Sequence, residues 1–367
     1  MPAPSNLSGL HAIPVHAETF HPRRFLANGH LQTIAGNFLP RPNHLGPPES
    51  VLVEVSPATD TAIASQVLCH CHWQPSDLRP DAPTAIVLHG LEGSSNSQYV
   101  VGNANKLWHS GCNVVCMNMR NCGGTERLSS TLYHSGLSAD VLAVLRFFVA
   151  REGLSSVSLV GYSMGGNLVL KLAGDLGPDP PPQLRSVVGI SPAMDLGPSA
   201  DALHQPANRL YERRFLRALT GRYRHKASLF PGVFDPARAD NLSSLRAFDD
   251  RVTAFYSGFT GADDYYHRAA AARVLDRISV PTLILHALDD PFIRLTPETR
   301  AMILGNPRIT LIEPGHGGHC AFLARPDRES GYDGYWAEHT LLRFLLVHRQ
   351  PRSLPIAINQ APYSPHS

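Results

Sequence analysis

No stretch of this chain approaches the roughly 20 consecutive apolar residues that a membrane-spanning helix needs, so no helical span is expected. The opening residues, MPAPSNLSGLHAIP, carry neither a charged start nor a continuous apolar run. No secretory signal is read there, and the expected location is cytoplasmic. Charge is scarce as well: Asp, Glu, Lys and Arg make up 17 % of the chain and the formal net charge is +2. That balance gives no sequence-wide electrostatic reason to expect nucleic acid as a partner. Internal repeats are absent. The six cysteines, Cys69, Cys71, Cys112, Cys116, Cys122 and Cys320, show none of the usual zinc spacings, and a chain of this size without a secretion signal has no need of disulfides. The run Cys69-His70-Cys71-His72 falls in a segment that reads as a strand, whose alternation puts the cysteines on one face and the histidines on the other. It is read as structural. Cys122 sits in a Gly-rich loop and reads as a turn residue, with a reactive thiol as the alternative.

What the chain has is a large apolar fraction, 43 % of 367 residues, enough for a sizeable core. Residues 1–48 read as an irregular amino-terminal arm with one short helix, and residues 350–367 as a loose Pro-rich tail. Between them, Val51–Val55 and the segment IASQVLCHCHW read as a leading hairpin joined around Pro57–Thr61. Short apolar runs follow, each bounded by loops: Thr84–Gly90, Asn113–Met119, Ser156–Gly161, Ser186–Ser191, Pro281–Ala287 and Arg308–Pro314. They alternate with helical patterns near Ser97–Ser110, Leu137–Arg151, Met164–Leu176, Pro297–Leu304 and Tyr335–His348. This is the signature of an α/β fold with a mostly parallel sheet covered on both faces. A helical and loop-rich stretch, residues 195–278, interrupts the alternation and reads as a cap inserted into a core made of residues 49–194 and 279–349. In such sheets ligands sit at the carboxyl ends of the strands, so chemistry is sought in the loops that follow them.

Gly161-Tyr162-Ser163-Met164-Gly165 matches the G-x-S-x-G elbow between an apolar strand and a helix, the context that pattern requires. The turn is so tight that the serine takes a strained backbone conformation beside small neighbours. Its hydroxyl is lifted above the sheet at a helix amino terminus, where negative charge is favoured. A serine is a poor nucleophile without a base, and this fold orders its triad Ser, Asp or Glu, then His along the chain. The segment Leu288-Asp289-Asp290-Pro291-Phe292-Ile293 follows one strand and Gly315-His316-Gly317-Gly318-His319 follows the next. Asp290 is the favoured acid, with Asp289 as a turn anchor. His319 is the favoured base because its Gly-Gly lead lets the loop bring an imidazole over the serine, with His316 the alternative. The oxyanion donors are expected to be the backbone N–H groups of Met164 and of Leu91, in the loop His89–Gly93. Such a mechanism needs no metal or organic cofactor.

Taken together, GYSMGG, the HGLEG loop, ALDDPF and GGHCAF resemble the α/β-hydrolase superfamily, and more narrowly its YheT-like branch of bacterial esterases and eukaryotic relatives acting on glycerolipids. The narrower resemblance rests on NGHLQTI (Asn28–Ile34), RNCGG (Arg120–Gly124), YHSG (Tyr133–Gly136) with Asp140, and GFTGADDYY (Gly258–Tyr266). It implies carboxylester or acylglycerol hydrolysis. The eukaryotic relatives carry an amino-terminal membrane anchor that this chain does not show, so residence in a membrane is not expected. His30 and His134 are read as packing residues tying the arm to the sheet. The cap segment NRLYERRFLRALTGRYRHK carries Arg209, Arg213, Arg214, Arg217, Arg222, Arg224 and Lys226, with Phe215 and Leu219 at i, i+4. It reads as a solvated basic face, with contact to an anionic lipid surface as the sharper alternative. The sequence leaves open amide or thioester cleavage on the same triad, and a non-catalytic relative used for binding. It sets no oligomeric state.

Overall fold

The computed structural model describes residues 19–349, apart from Thr61 and Arg328. The tail 350–367 and the first part of the arm therefore lie outside the described residues. In chain order the elements are α1 (Gly29–Phe38), β1 (Glu49–Ser56), β2 (Ser65–His72), β3 (Thr84–Leu88), α2 (Gln98–His109), β4 (Asn113–Met117), α3 (Ser138–Glu152), β5 (Val157–Tyr162), α4 (Met164–Leu176) and β6 (Leu184–Ile190). Then come α5 (Leu196–Leu203), α6 (Arg209–Leu229), α7 (Leu245–Phe248), α8 (Phe255–Ser257), α9 (Ala262–Ala269), β7 (Thr282–Leu285), α10 (Pro297–Gly305), β8 (Ile309–Ile312) and α11 (Trp336–Val347).

The strands form one eight-stranded sheet in the order β1-β2-β4-β3-β5-β6-β7-β8. The β1–β2 and β2–β4 pairings are antiparallel and every later one is parallel. The residues explain the division. β3, β4, β5 and β7 are buried along their whole length, as continuous apolar runs must be when helices cover both faces. β2 alternates buried and half-buried positions. Cys69 and Cys71 point into the core, while His70 turns to the other face and its Nδ1 lies 2.9 Å from Ser95 Oγ. All six cysteines are free. Cys122 is fully buried, and burial pushes its thiol up to about 12, which leaves it protonated and unreactive.

Two apolar layers sandwich the sheet. One packs α3 and α4 through Val141, Phe148, Leu168 and Leu172. The other packs α2 and α11 through Val100, Leu107, Leu341 and Phe344. α3 stops at Gly153, which adopts the left-handed conformation with φ 66° that favours glycine. The stretch between β6 and β7 is helical and carries an apolar cluster of its own, including Leu219, Tyr223, Phe234, Phe248 and Val252. Phe292 and Ile293, from the loop after β7, join that cluster. α7 runs through a π-helical segment, Asp249–Ala254, into α8, a local widening often found at functional sites.

The motif Arg120 and its downstream Asp140 form a buried, two-pronged ion pair, at 2.6 and 2.9 Å. Both side chains are almost entirely shielded from water. Removing one partner from such a pair strands the other charge, at a cost of about 3–5 kcal/mol. Asp140→Ala is therefore expected to lose stability on that scale, read as a fall in the urea midpoint with unchanged slope.

Candidate functional site

β5 delivers Ser163 onto its turn with φ 53° and ψ −115°, outside the conformations an L-residue prefers. The strain is imposed by close packing of backbone. A Cβ added at Gly165 would come within 2.4 Å of the His89 carbonyl oxygen, so only glycine fits there. The loop after β3 is held just as firmly. His89 is buried, its Nε2 accepts the Met119 N–H at 3.0 Å, and its Nδ1 lies 2.8 Å from the Gly90 carbonyl. Those two partners fix the tautomer, with the proton on Nδ1. Burial lowers the ring to about 4, so it stays neutral. The Gly90 N–H donates to Tyr99 Oη at 2.8 Å, and Glu92 bends the chain back with φ 57°. Leu91 is thereby set beside Ser163 and Met164 in one cavity wall. The Met164 N–H opens α4, among the donors that a helix leaves without an internal partner.

The two acid–base ambiguities resolve into two separate pairs. Asp290 Oδ2 lies 2.8 Å from His319 Nδ1. Asp290 Oδ1 accepts the N–H groups of Phe292 and Ile293, at 3.1 and 2.9 Å. Asp289 accepts the Gly318 N–H at 2.8 Å and faces the exposed His316 at 3.4 Å. Asp289 thus anchors the histidine loop, while Asp290 addresses the histidine. Burial pushes the Asp290 carboxyl up, but the neighbouring His319 and its hydrogen bonds outweigh this, and the group ends below the usual carboxylate range. For His319, burial opposes the charge, yet Cys320 and Asp290 beside the ring prevail and raise it above its ordinary value. His319 Nε2 lies 3.5 Å from Cys320 Sγ. Ser163 and His319 share the wall of one groove.

Several residues of this site escaped the sequence reading. The motif NGHLQTI forms α1, capped by Asn28, whose side chain accepts the N–H groups of His30 and Leu31. Its inner face holds the histidine loop: Thr33 Oγ1 accepts the His319 N–H at 2.8 Å and donates to the Gly29 carbonyl at 2.7 Å. Gln32, fully buried, exchanges hydrogen bonds with Leu323 on both its amide atoms. Gly318, at φ 57°, has no room for a Cβ, which would come within 2.4 Å of the Gly29 carbonyl. Cys320 was read only as one of six thiols, yet it stands beside the imidazole. Asn167, in the first turn of α4, accepts the Ala271 N–H and donates to the carbonyls of Ser135 and Ala269. It ties the end of the inserted stretch to the elbow helix.

Two expectations need correcting. His30 stacks on Tyr211 of α6 with ring centroids 5.8 Å apart, and His134 packs edge-on against Phe259 and Tyr265. Both therefore meet the inserted helical stretch and do not tie the arm to the sheet. The basic run of α6 is likewise not one solvated face. Arg222 reaches Glu92 at 3.0 Å and Glu126 at 3.1 Å. Lys226 is buried, donates to Asn121 Oδ1 at 2.7 Å and to the carbonyls of Glu126 and Ser129, and is lowered by burial to about 8. The helical period turns these two cations inward while Arg209, Arg213, Arg214 and Arg217 stay exposed.

Two cavities meet at Ser163. The inner one has ≈ 1030 Å³ of atom-free space, part of it open to solvent, and is walled mainly by apolar side chains such as Leu132, Leu203, Phe215, Leu219, Phe248 and Ile293. The outer groove, ≈ 1310 Å³ by the same measure, adds polar groups including Glu92, Asn96, Ser97 and Gln98.

A family model described as the alpha/beta hydrolase fold matches residues 83–326. The protein named "Putative esterase YheT" from Escherichia coli is 30 % identical over 315 residues, spanning 83 % of this chain and 87 % of that protein. Phospholipase ABHD3 of Bos taurus is 27 % identical over 256 residues, 69 % of this chain, and the match spans 60 % of the bovine protein. Medium-chain fatty acid ethyl ester synthase/esterase 2 of Saccharomyces cerevisiae is 26 % identical over 288 residues, with 72 % and 62 % covered. Among solved structures, 2,6-dihydroxy-pseudo-oxynicotine hydrolase superposes with a TM-score of 0.52 at 17 % identity, covering 89 % of this chain and 74 % of that one. No helix among the described residues is long and apolar enough to cross a membrane.

The geometry predicts how the His319 ring titrates. Its neighbours favour the charged form, so by ¹⁵N NMR of histidine-labelled protein the ring should hold its proton to a pH above the ordinary 6.5. Asp290→Asn should move that titration to lower pH. An unchanged titration in Asp290→Asn would mean that the carboxylate does not act on the ring.

Proposed function

The chain belongs to the α/β-hydrolase family, and from that premise we propose that it is a serine carboxylester hydrolase of the esterase/lipase type, acting through Ser163, His319 and Asp290. The observation that carries the reading is the 2.8 Å Asp290–His319 contact in the wall of the groove that also contains the strained Ser163 turn. Once His319 is neutral, Asp290 holds its remaining proton on Nδ1 and Nε2 is the base, so turnover is expected to rise with pH through the His319 titration. On ester binding Nε2 takes the hydroxyl proton as Ser163 Oγ attacks the acyl carbonyl. Hydrogen bonds of this kind are often long before substrate binds and tighten in the complex. The negative oxygen of the tetrahedral intermediate is received by the N–H groups of Leu91 and Met164, each donor supplying about 3 kcal/mol of transition-state stabilisation. The carbon–oxygen bond to the alcohol breaks, His319 returns the proton to the leaving oxygen, and water releases the acid by the reverse sequence.

The cavities divide the substrate. The apolar inner chamber suits an acyl chain, and the more polar outer groove suits the alcohol portion. The named relatives, one a phospholipase and one acting on fatty acid ethyl esters, fit lipid-like or small acyl esters as the substrate class.

Labelling with a fluorophosphonate probe tests the nucleophile. Wild type is expected to be labelled and to hydrolyse acyl esters, while Ser163→Ala, folded by circular dichroism, is expected to do neither. Turnover by Ser163→Ala at the wild-type rate would sink the mechanism, and labelling of neither protein would favour a binding role. Thr33→Val tests the brace on His319. It strands the His319 N–H, a loss of about 1–3 kcal/mol, and is expected to lower kcat about ten- to a hundredfold with little change in KM. Thr33→Ser, which keeps the acceptor, should restore most of the rate.

A further inference from the structure

Among the large apolar side chains left exposed, four lie on the two helices that border the outer groove. Leu31 (49 %), Ile34 (47 %) and Phe38 (70 %) are exposed on α1, and Leu210 (79 %) is exposed at the start of α6. On α1 the three follow an i, i+3, i+7 spacing, which makes one stripe. That stripe lies opposite the buried face formed by Gly29, Gln32 and Gly36. On α6, Leu210, Arg214 and Arg217 form a similar stripe, with Arg209 and Arg213 beside it, and all five are exposed. Among the described residues none of these four arginines is in an ion pair, whereas Arg222 and Arg224 further along the helix are. The one acid in this half of α6, Glu212, is buried and turned to His204 and the Leu245 N–H.

The two stripes flank one opening. His30 of α1 stacks on Tyr211 of α6 and brings the helices together. Ile34 and Phe38 from one side, and Arg214 and Ala218 from the other, line the groove that contains Ser163 and His319. We propose that this rim docks on an anionic lipid surface, so that lipid esters enter the groove directly from the surface. The proposal rests on the ester-hydrolase reading of the site for its purpose, though not for its test.

The chemistry selects the occupant. Exposed apolar side chains next to unpaired cations match an interface that offers hydrocarbon below and negative headgroups above. The rim surrounds an entrance. A protein seated across it would close the groove, whereas a lipid surface fills it with substrate. α1 carries both tasks on opposite faces, since its inner side braces the His319 loop through Thr33.

The test is co-sedimentation of the full chain with vesicles, scored as bound protein and without turnover. Wild type should bind phosphatidylcholine vesicles that contain about one third phosphatidylglycerol. It should bind pure phosphatidylcholine far more weakly, and binding should fall as salt is raised. Arg209→Glu/Arg213→Glu/Arg217→Glu should lower the partition coefficient on the order of a hundredfold or more, and Leu31→Ser/Leu210→Ser about tenfold. These five residues lie outside both cavities, so both variants should hydrolyse a soluble short-chain ester at the wild-type rate. Failure of wild type to bind anionic vesicles would overturn the proposal, as would equal binding to neutral ones or binding unaffected by either variant. Self-association abolished by Leu31→Ser/Leu210→Ser, without vesicle binding, would give the face to a second copy of the chain. If a variant fails to unfold cooperatively, the salt and lipid-charge dependence of wild type alone decides. Vesicle binding without turnover of any ester would leave the docking face standing and remove the esterase reading.

Discussion

The whole site hangs on one steric constraint, the close approach of the turn after β5 to the loop after β3. Ser163 is held at a positive φ because the backbone on either side has nowhere else to go. Strain of that kind persists only where the surroundings over-determine it. Here they do so with buried hydrogen bonds. His89 spans the Gly90 carbonyl and the Met119 N–H, and Tyr99 takes the Gly90 N–H while stacking on Tyr162 at 4.4 Å. Tyr162 in turn accepts from Asn103 at 2.7 Å. The Leu91 and Met164 backbone beside Ser163 is therefore held by a frame of buried hydrogen bonds and stacked rings.

The second frame is polar and comes from far away in sequence. The loop with His319 is glycine-rich, and glycine that gives a loop its reach also gives it freedom. That freedom is removed by α1, some three hundred residues earlier. Thr33, Gln32 and the Gly29 carbonyl close on Gly318, His319 and Leu323, and Asp289 adds a third hold from the neighbouring loop. The arm is secured in its turn by Arg41, buried against Glu338 at 3.1 Å, with Lys106 on the same carboxylate at 2.7 Å. α1 thus fastens the histidine loop, while the same arm places Phe20 in the apolar layer against Phe322 and Trp336.

The alternation of strands and helices, the elbow, and the order of acid and histidine could be read from the sequence because each depends on local pattern. The run Asn113–Met119 extends past the end of the strand Asn113–Met117, and Arg308–Pro314 extends past Ile309–Ile312 at both ends. Past Met117 the apolar run continues because the loop it enters is itself buried, as Met119 is. The acid-loop pattern of Ala287–Phe292 favours Asp290 over Asp289 without fixing the choice. The choice follows from which carboxylate the turn at Pro291 points inward, something only the folded chain specifies. The brace by Thr33 and the tie by Asn167 could not be read, since each is a single polar side chain meeting backbone across a long sequence separation, and such contacts leave no periodicity.

The basic helix α6 makes the same point in physical terms. Seven cations in one short run look alike in the sequence, but a helix distributes them around its axis, and burial then sorts them by what they can find. Arg222 and Lys226 face the loops after β3 and β4 and are acceptable there because Glu92, Glu126, Asn121 and two carbonyls receive them. A cation without such partners cannot be taken out of water. The arginines at the start of the helix have none, so they remain outside, next to Leu210 and across the groove from Phe38. Arg222 ties the helix to the loop that carries Leu91, Lys226 ties it to the loop after β4, and the outward arginines stand exposed beside the outer groove. One helix thereby borders both the inner chamber and the outer groove.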